Sequence, residues 1–218
     1  MPNAQSDRDA LEAVYELTQG ATAQRNWRKL LTLGDTFDVQ LKRKLLWIWP
    51  TAKNLMQFQL KLNELRIQHV LSIGCGNGLL EWLLTAVGAE DSLRVYGLER
   101  DANWWRSKYA IRSLIPLNYI ESSEYNCQLS GDFLRQCCCG LPPQALLFCY
   151  FNDRVAFLEY LSAFAGSWLI IIGPQPSLGV HTDPNPLQPE LPDCNRWALH
   201  SLINWTEHNV VALYKKLP

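Results

Sequence analysis

His69-Val70-Leu71-Ser72-Ile73 is a short apolar run that passes directly into Gly74-Cys75-Gly76-Asn77-Gly78. From there the chain enters an apolar stretch of helical length, Leu79 to Val87, closed by Gly88. A strand, a Gly-x-Gly-x-Gly turn and a helix in immediate succession constrain the fold more than any other feature of this chain. Glycine admits backbone conformations that side chains forbid, and it removes the β-carbons that would hold a ligand away from the main chain. The helix that follows presents unpaired N–H groups at its N-terminus. In an open α/β sheet, ligands gather beyond the carboxyl ends of such strands.

The chain after this turn repeats the alternation. Leu93–Leu98 reads as a second strand, Asn103–Leu114 as a helix, and a third strand lies between Leu117 and Leu129. Ala145–Phe151 is a fourth strand, Arg154–Phe164 a helix capped by Asn152 or Asp153, and Trp168–Ile172 a fifth strand. These strands are near-continuously apolar, the pattern of a parallel sheet covered by helices on both faces. Gly173–Pro192 contains six prolines and two glycines and reads as a long loop. Loops of that length are usually functional or disordered. Arg196–Leu217 reads as two strands with a turn near Thr206 to Asn209.

Before the glycine turn, residues 1–66 carry four amphipathic stripes. Ser6 or Asp7 can cap the first helix, with Leu11, Val14, Tyr15 and Thr18 facing inward and Gly20 ending it. A second helix spans Ala23 to Leu31. A third shows Phe37, Leu41, Leu45 and Ile48 at helical spacing and stops before Pro50. A fourth carries Leu55, Phe58, Leu62 and Leu65. Residues 1–66 therefore form a helical cap or extension, and residues 67–218 the sheet domain that buries its inner face.

Composition sets bounds on function. With 48% apolar and 19% charged residues among 218, the chain is neither intrinsically disordered nor a coiled coil. The net charge of −1 does not indicate a general electrostatic grip on nucleic acid, although residues 1–66 hold a surplus of three positive charges. The polar start, MPNAQSDRDA, does not read as a secretory signal, and no apolar run approaches the ~18 residues of a membrane span. Seven cysteines at irregular spacing read as free thiols of a reducing compartment, hence the cytoplasm or the nucleus. Cys137-Cys138-Cys139 lacks the spacing of a zinc site, and no metal is expected.

A second chemical signal lies at the end of the second strand, Val95-Tyr96-Gly97-Leu98-Glu99. A carboxylate there can accept both ribose hydroxyls of an adenosine ligand. With the glycine turn and Glu99 together, the chain resembles the class I S-adenosylmethionine-dependent methyltransferases. Their first motif is an apolar strand followed by Gly-x-Gly-x-Gly, and their second is an acid ending strand two. The dinucleotide pattern instead has its third glycine one position later, where this chain has Leu79. The resemblance runs from about residue 68 to the end. It implies an α/β, Rossmann-like doubly wound fold: a mostly parallel seven-stranded sheet with a C-terminal antiparallel hairpin, here preceded by the N-terminal helical extension. It further implies S-adenosyl-L-methionine as cofactor and methyl transfer to an acceptor the sequence does not identify; a protein is a possible partner, and from the apolar runs alone no membrane partner is expected.

Carried over residue by residue, the resemblance has Gly74, Cys75, Gly76 and Gly78 lining the methionine and ribose moieties. Glu99 binds the ribose hydroxyls and Arg100 lies near the adenine. The acid following strand three matches best at Asp132, with Glu121 as the rival. Tyr150 and Asn152, at the end of strand four, face donor and acceptor. His181, in the proline-rich loop, is the best-placed base if the acceptor must lose a proton. Two departures stand out. The family often has an acid two residues before the first glycine, where this chain has Ser72. The Asn/Asp-Pro-Pro-aromatic motif of many amide and amine methylases is absent from Phe148-Cys149-Tyr150-Phe151-Asn152-Asp153. A methyltransferase-like fold without catalysis, serving as a binding or scaffold module, is the alternative expectation.

Overall fold

Successive residues of a strand point to opposite faces, and in this chain the two faces bury against different helices. In β1 (His69–Ile73), Val70 belongs to one core cluster, while Leu71 and Ile73 belong to the other. β5 (Trp168–Pro174) does the same, with Ile170 and Ile172 on the first face and Leu169 and Ile171 on the second. Residues 4–88 (side chains from residue 7), 93–121, 128–175, 179–192 and 196–217 are described in this computed structural model.

The remaining strands are β2 (Arg94–Asp101), β3 (Leu117–Glu121), β4 (Ala145–Cys149), β6 (Trp197–Thr206) and β7 (Asn209–Lys216). They assemble in the order β3-β2-β1-β4-β5-β7-β6. The first five pair in parallel, and β7 runs antiparallel between β5 and β6. This is the doubly wound, mostly parallel seven-stranded sheet with a C-terminal antiparallel hairpin that the sequence leads one to expect. The order reverses at β1, between β2 and β4, so the crevice for a ligand opens at the carboxyl end of β1.

The helices divide between the faces. α7 (Gly131–Cys137) and α8 (Arg154–Ala163) pack through Phe133, Leu134, Phe157, Tyr160 and Leu161 on one face. The other face receives α5 (Leu79–Val87) together with the N-terminal helices α1 (Ala4–Thr18), α2 (Trp27–Asp35), α3 (Val39–Leu45) and α4 (Ala52–Glu64). Val14, Leu30, Leu41 and Phe58 share one continuous core with Val70, Leu79, Ile170 and Trp205. Among the described residues, the buried leucine, isoleucine and valine side chains of the 1–66 segment belong to the same core cluster as one face of the sheet. Among the described residues, no helix is long and apolar enough to cross a membrane.

Four local expectations need correction. α1 begins at Ala4, so Ser6 and Asp7 lie inside its first turn, where Asp7 pairs with Lys44 at 2.8 Å. The second helix is a 3₁₀ turn, Ala23–Asn26, continued by α2 as far as Asp35. The third helix is shorter than its stripe. Asp38 caps it by accepting from the Leu41 amide at 2.8 Å, and the chain turns extended at Leu46. Leaving the helix there lets Ile48 enter the core and sets the Trp49 ring where a β-carbon on Gly34 would stand. The helix expected over Asn103–Leu114 is a single turn, α6 (Ala102–Trp105), capped by the Asp101 carboxylate. Beyond it the backbone finds tertiary partners instead of a helical ladder: the Arg112 amide donates to the Tyr15 hydroxyl, and the Leu114 amide to the Asn77 carbonyl.

Candidate ligand site at the sheet switch point

Gly74, Gly76 and Gly78 all adopt left-handed backbone conformations, with φ of 65°, 65° and 81°. Gly78 is the most constrained, because a β-carbon there would lie 2.4 Å from Ile115. The turn is held between neighbours on both sides. The Gly74 amide donates to the Leu98 carbonyl at 2.9 Å. The Gly76 amide donates to Glu99 Oε1 at 2.5 Å, which ties the two predicted signatures into one structure.

A chamber of about 340 Å³ opens on this turn, lined by Gly74, Cys75 and Gly76, by Glu99 and Trp105, and by Cys149 through Asn152 at the end of β4. Its remaining wall comes from the N-terminal extension, Arg43 to Trp47, from Asn77, and from the first turn of α5, Leu80 and Glu81. A second, larger chamber of about 700 Å³ lies next along the sheet edge. Arg100, Glu121, Ser130, Asp153 and Tyr160 are among its lining residues. Glu99 and Arg100, consecutive on β2, face one chamber each.

Glu99 is mostly desolvated, which raises its pKa, while hydrogen bonds from the Gly76 amide and the Trp105 indole pull the other way. Arg100 is bound to Glu121 at 2.8 Å. Cys75 packs its sulfur against Gly97, whose missing β-carbon would otherwise lie 2.7 Å from it. Burial, reinforced by the negative charges of Glu81 and Glu99, lifts its thiol well above the usual range. Such burial disfavours the thiolate form on which cysteine reactivity depends.

Tyr150 sits at the chamber with φ of 52°, a strained conformation for a non-glycine residue and one that clusters at functional sites. Its hydroxyl donates to Asn209 Oδ1 at 2.5 Å, and its ring lies parallel to that of Trp47, with centroids 6.0 Å apart. Asn152 also lines the chamber and forms an isolated bridge with Asp183, which brings the proline-rich loop against the end of β4. Arg154 secures that loop by pairing with Asp183 and donating to the Pro189 carbonyl at 2.8 Å. Asp153, not Asn152, caps α8, accepting from the Ala156 amide at 3.0 Å.

Three predicted residues line neither chamber: Gly78, which faces Ile115, and Asp132 and His181. Asp132 is exposed on α7, paired with Arg135, and borders a separate surface hollow beside Pro142 and Pro143. β3 ends at Glu121, so the acid on the second chamber is the rival candidate. His181 is exposed and lines neither chamber.

Two residues escaped sequence reasoning. Asn77 is 3% exposed and bonds in three directions. Its amide donates to the Leu45 carbonyl at 3.0 Å, its Oδ1 accepts from the Leu79 amide at 2.9 Å, and its own carbonyl accepts from Leu114. Glu81 is buried on α5, where its Oε1 accepts from the Ser72 hydroxyl at 2.6 Å. Desolvation is the main cause that raises its pKa to about 7, with the Ser72 hydrogen bond opposing. The signal available for Glu81 was a lone acid within an otherwise apolar helix, LLEWLLTAV, nine residues after a serine on an apolar strand.

No protein-family model and no curated protein matches this sequence. Solved structures resemble it at low identity. A protein from Listeria monocytogenes assigned to the class I S-adenosylmethionine-dependent methyltransferases is 10% identical, with a TM-score of 0.43 over 96% of this chain and 88% of that one. A magnesium protoporphyrin IX methyltransferase from Synechocystis, solved with bound S-adenosylmethionine, is 11% identical, with a TM-score of 0.44 over 75% and 77%. A protein from Sulfolobus solfataricus assigned as a type 11 methyltransferase is 12% identical, with a TM-score of 0.43 over 74% and 91%. None of these likenesses assigns a role to a residue of this chain.

Proposed function

We propose that this chain is a divergent class I methyltransferase that binds S-adenosyl-L-methionine at the switch point of its sheet and passes the methyl group to an acceptor admitted beside the N-terminal helices. The observation that carries this reading is the bond between the Gly76 amide and the Glu99 carboxylate at the mouth of the 340 Å³ chamber. It sets a carboxylate that can receive ribose hydroxyls directly against the backbone of a glycine in the turn. Among the described residues the donor set fits an adenosyl ligand: the glycine backbone at Gly76, Glu99 bonded to it, and Arg100 with Glu121 on the adjoining chamber.

When bound, S-adenosylmethionine supplies a methyl group already activated on a sulfonium. The protein's part is then alignment and exclusion of water. Glu99 would orient the ribose. Tyr150, its ring against Trp47 and its hydroxyl fixed by Asn209, would wall the acceptor's entry. Asn152 and the 179–192 loop would close the side toward the end of β4. No base is required for an acceptor that is already nucleophilic. The free cysteines Cys75, Cys137, Cys138, Cys139 and Cys149 support a reducing compartment, cytoplasm or nucleus.

One observation favours the second reading, a binding module without turnover. The Phe151 ring stands 3.0 Å from where a β-carbon on Gly74 would lie, so it roofs the first glycine of the turn. Calorimetric titration with S-adenosylmethionine and S-adenosylhomocysteine tests the donor site. Micromolar binding that disappears in Glu99→Ala is the expected result, and no binding by the folded wild type would overturn it. Binding of both ligands without methyl loss across a broad acceptor screen would favour the scaffold reading.

A further inference from the structure

Glu81 is 1% exposed, yet it borders the chamber at the glycine turn. Ser72 fixes its Oε1, while its Oε2 has no hydrogen-bond partner among the described residues. A carboxyl group buried with half of its acceptors unused is costly. Its neighbours on α5, Leu79, Leu80, Trp82, Leu83 and Leu84, are all buried hydrocarbon, so packing alone calls for another apolar side chain at this position. The orientation by Ser72 from the middle of β1 indicates a group kept for a ligand.

We propose that Glu81, oriented by Ser72 at the border of the chamber, receives the ammonium group of the donor's methionine moiety on its unpartnered Oε2. This rests on the reading of the chain as an S-adenosylmethionine binder. A cation set against Oε2 completes the acceptor set of the carboxylate. The pair is then screened from bulk water, where Coulomb attraction acts at a lower effective dielectric. Ser72 is the positioning residue: it holds one oxygen and leaves the other for the ligand.

The test compares two ligands on three proteins by calorimetry. S-adenosylhomocysteine carries the ammonium group, whereas 5′-methylthioadenosine keeps the adenosine and the sulfur but lacks it. Glu81→Gln is expected to weaken S-adenosylhomocysteine at least tenfold and to leave 5′-methylthioadenosine within twofold. Ser72→Ala, which keeps the carboxylate but frees it, is expected to give a smaller loss confined to S-adenosylhomocysteine, and it carries the test if Glu81→Gln does not fold. Unchanged binding of S-adenosylhomocysteine in the variants, or a parallel loss of both ligands, overturns the assignment of Glu81 alone. Failure of the folded wild type to bind either ligand overturns the donor reading itself, and Glu81 with it.

Discussion

The Asn77 side-chain amide donates to the Leu45 carbonyl at 3.0 Å, joining the glycine turn to the last residue of α3. Carbonyls in the last turn of a helix have no partner within it. This one is satisfied by a residue of the turn, so the wall of the chamber and its floor are set by a single side chain. The oxygen of the same amide accepts from the Leu79 amide, the first N–H of α5. Asn77→Ala removes both bonds and should cost about 2–4 kcal/mol of stability in urea denaturation. Asn77→Asp keeps the acceptor for the Leu79 amide but sets a carboxylate oxygen against the Leu45 carbonyl at a buried site, so it should not recover the loss. Equal stability of all three proteins would contradict this role.

Glu81 makes stability depend on pH in an unusual direction for an acid. Its folded pKa of about 7 exceeds its ordinary 4.5, so between these values the folded state holds a proton that the unfolded state has released. Stability must then fall as pH rises from about 4.5 to 7, by roughly 3 kcal/mol in all. Glu81→Gln should remove that slope. Urea midpoints of both proteins from pH 4.5 to 8 measure it: the wild type should lose ground relative to the variant as pH rises. Parallel curves would contradict the burial of an ionisable Glu81.

Gly78 cannot accept a side chain without a double penalty. Its φ of 81° is left-handed, and a β-carbon would meet Ile115 at 2.4 Å. Gly78→Ala should destabilise the fold by about 2–4 kcal/mol, combining the conformational cost with overpacking. Adding Ile115→Ala should relieve the steric part only, a non-additivity that thermal melts of the single and double variants can measure.

Phe58 of α4 is fully buried, edge-on to Trp205 of β6 with ring centroids 5.4 Å apart. Phe58→Ala should cost about 3–5 kcal/mol. The transition should remain single, with near-UV circular dichroism and tryptophan fluorescence falling together. Two separate transitions would show the N-terminal helices to be an independent unit, against the shared core.

The glycine turn and Glu99 were legible because the chemistry that marks them is local: a run of small residues after an apolar strand, and an acid at the end of the next strand. Strand alternation was legible for the same reason, since Leu169 to Ile172 are apolar on both faces. What escaped depends on distant neighbours. The stretch after Trp105 has helical spacing, but its amides are claimed by Tyr15 and Asn77. Asp132 belongs to a Gly-Asp pair that opens α7, behind the Ser130 cap, while β3 runs Leu117–Glu121. Glu81 stands in the first turn of its helix, where an acid is favourable to the helix dipole and so carries no mark in the sequence of a second role. Only the fold brings it to Ser72.

The most direct measurement is a crystal structure of the chain grown with saturating S-adenosylhomocysteine. The account predicts ligand density in the chamber at the Gly74–Gly78 turn, with the ribose hydroxyls within hydrogen-bond distance of the Glu99 carboxylate. Density confined to another surface, such as the hollow beside Asp132 and Pro142, or an unchanged structure without ligand, would contradict it.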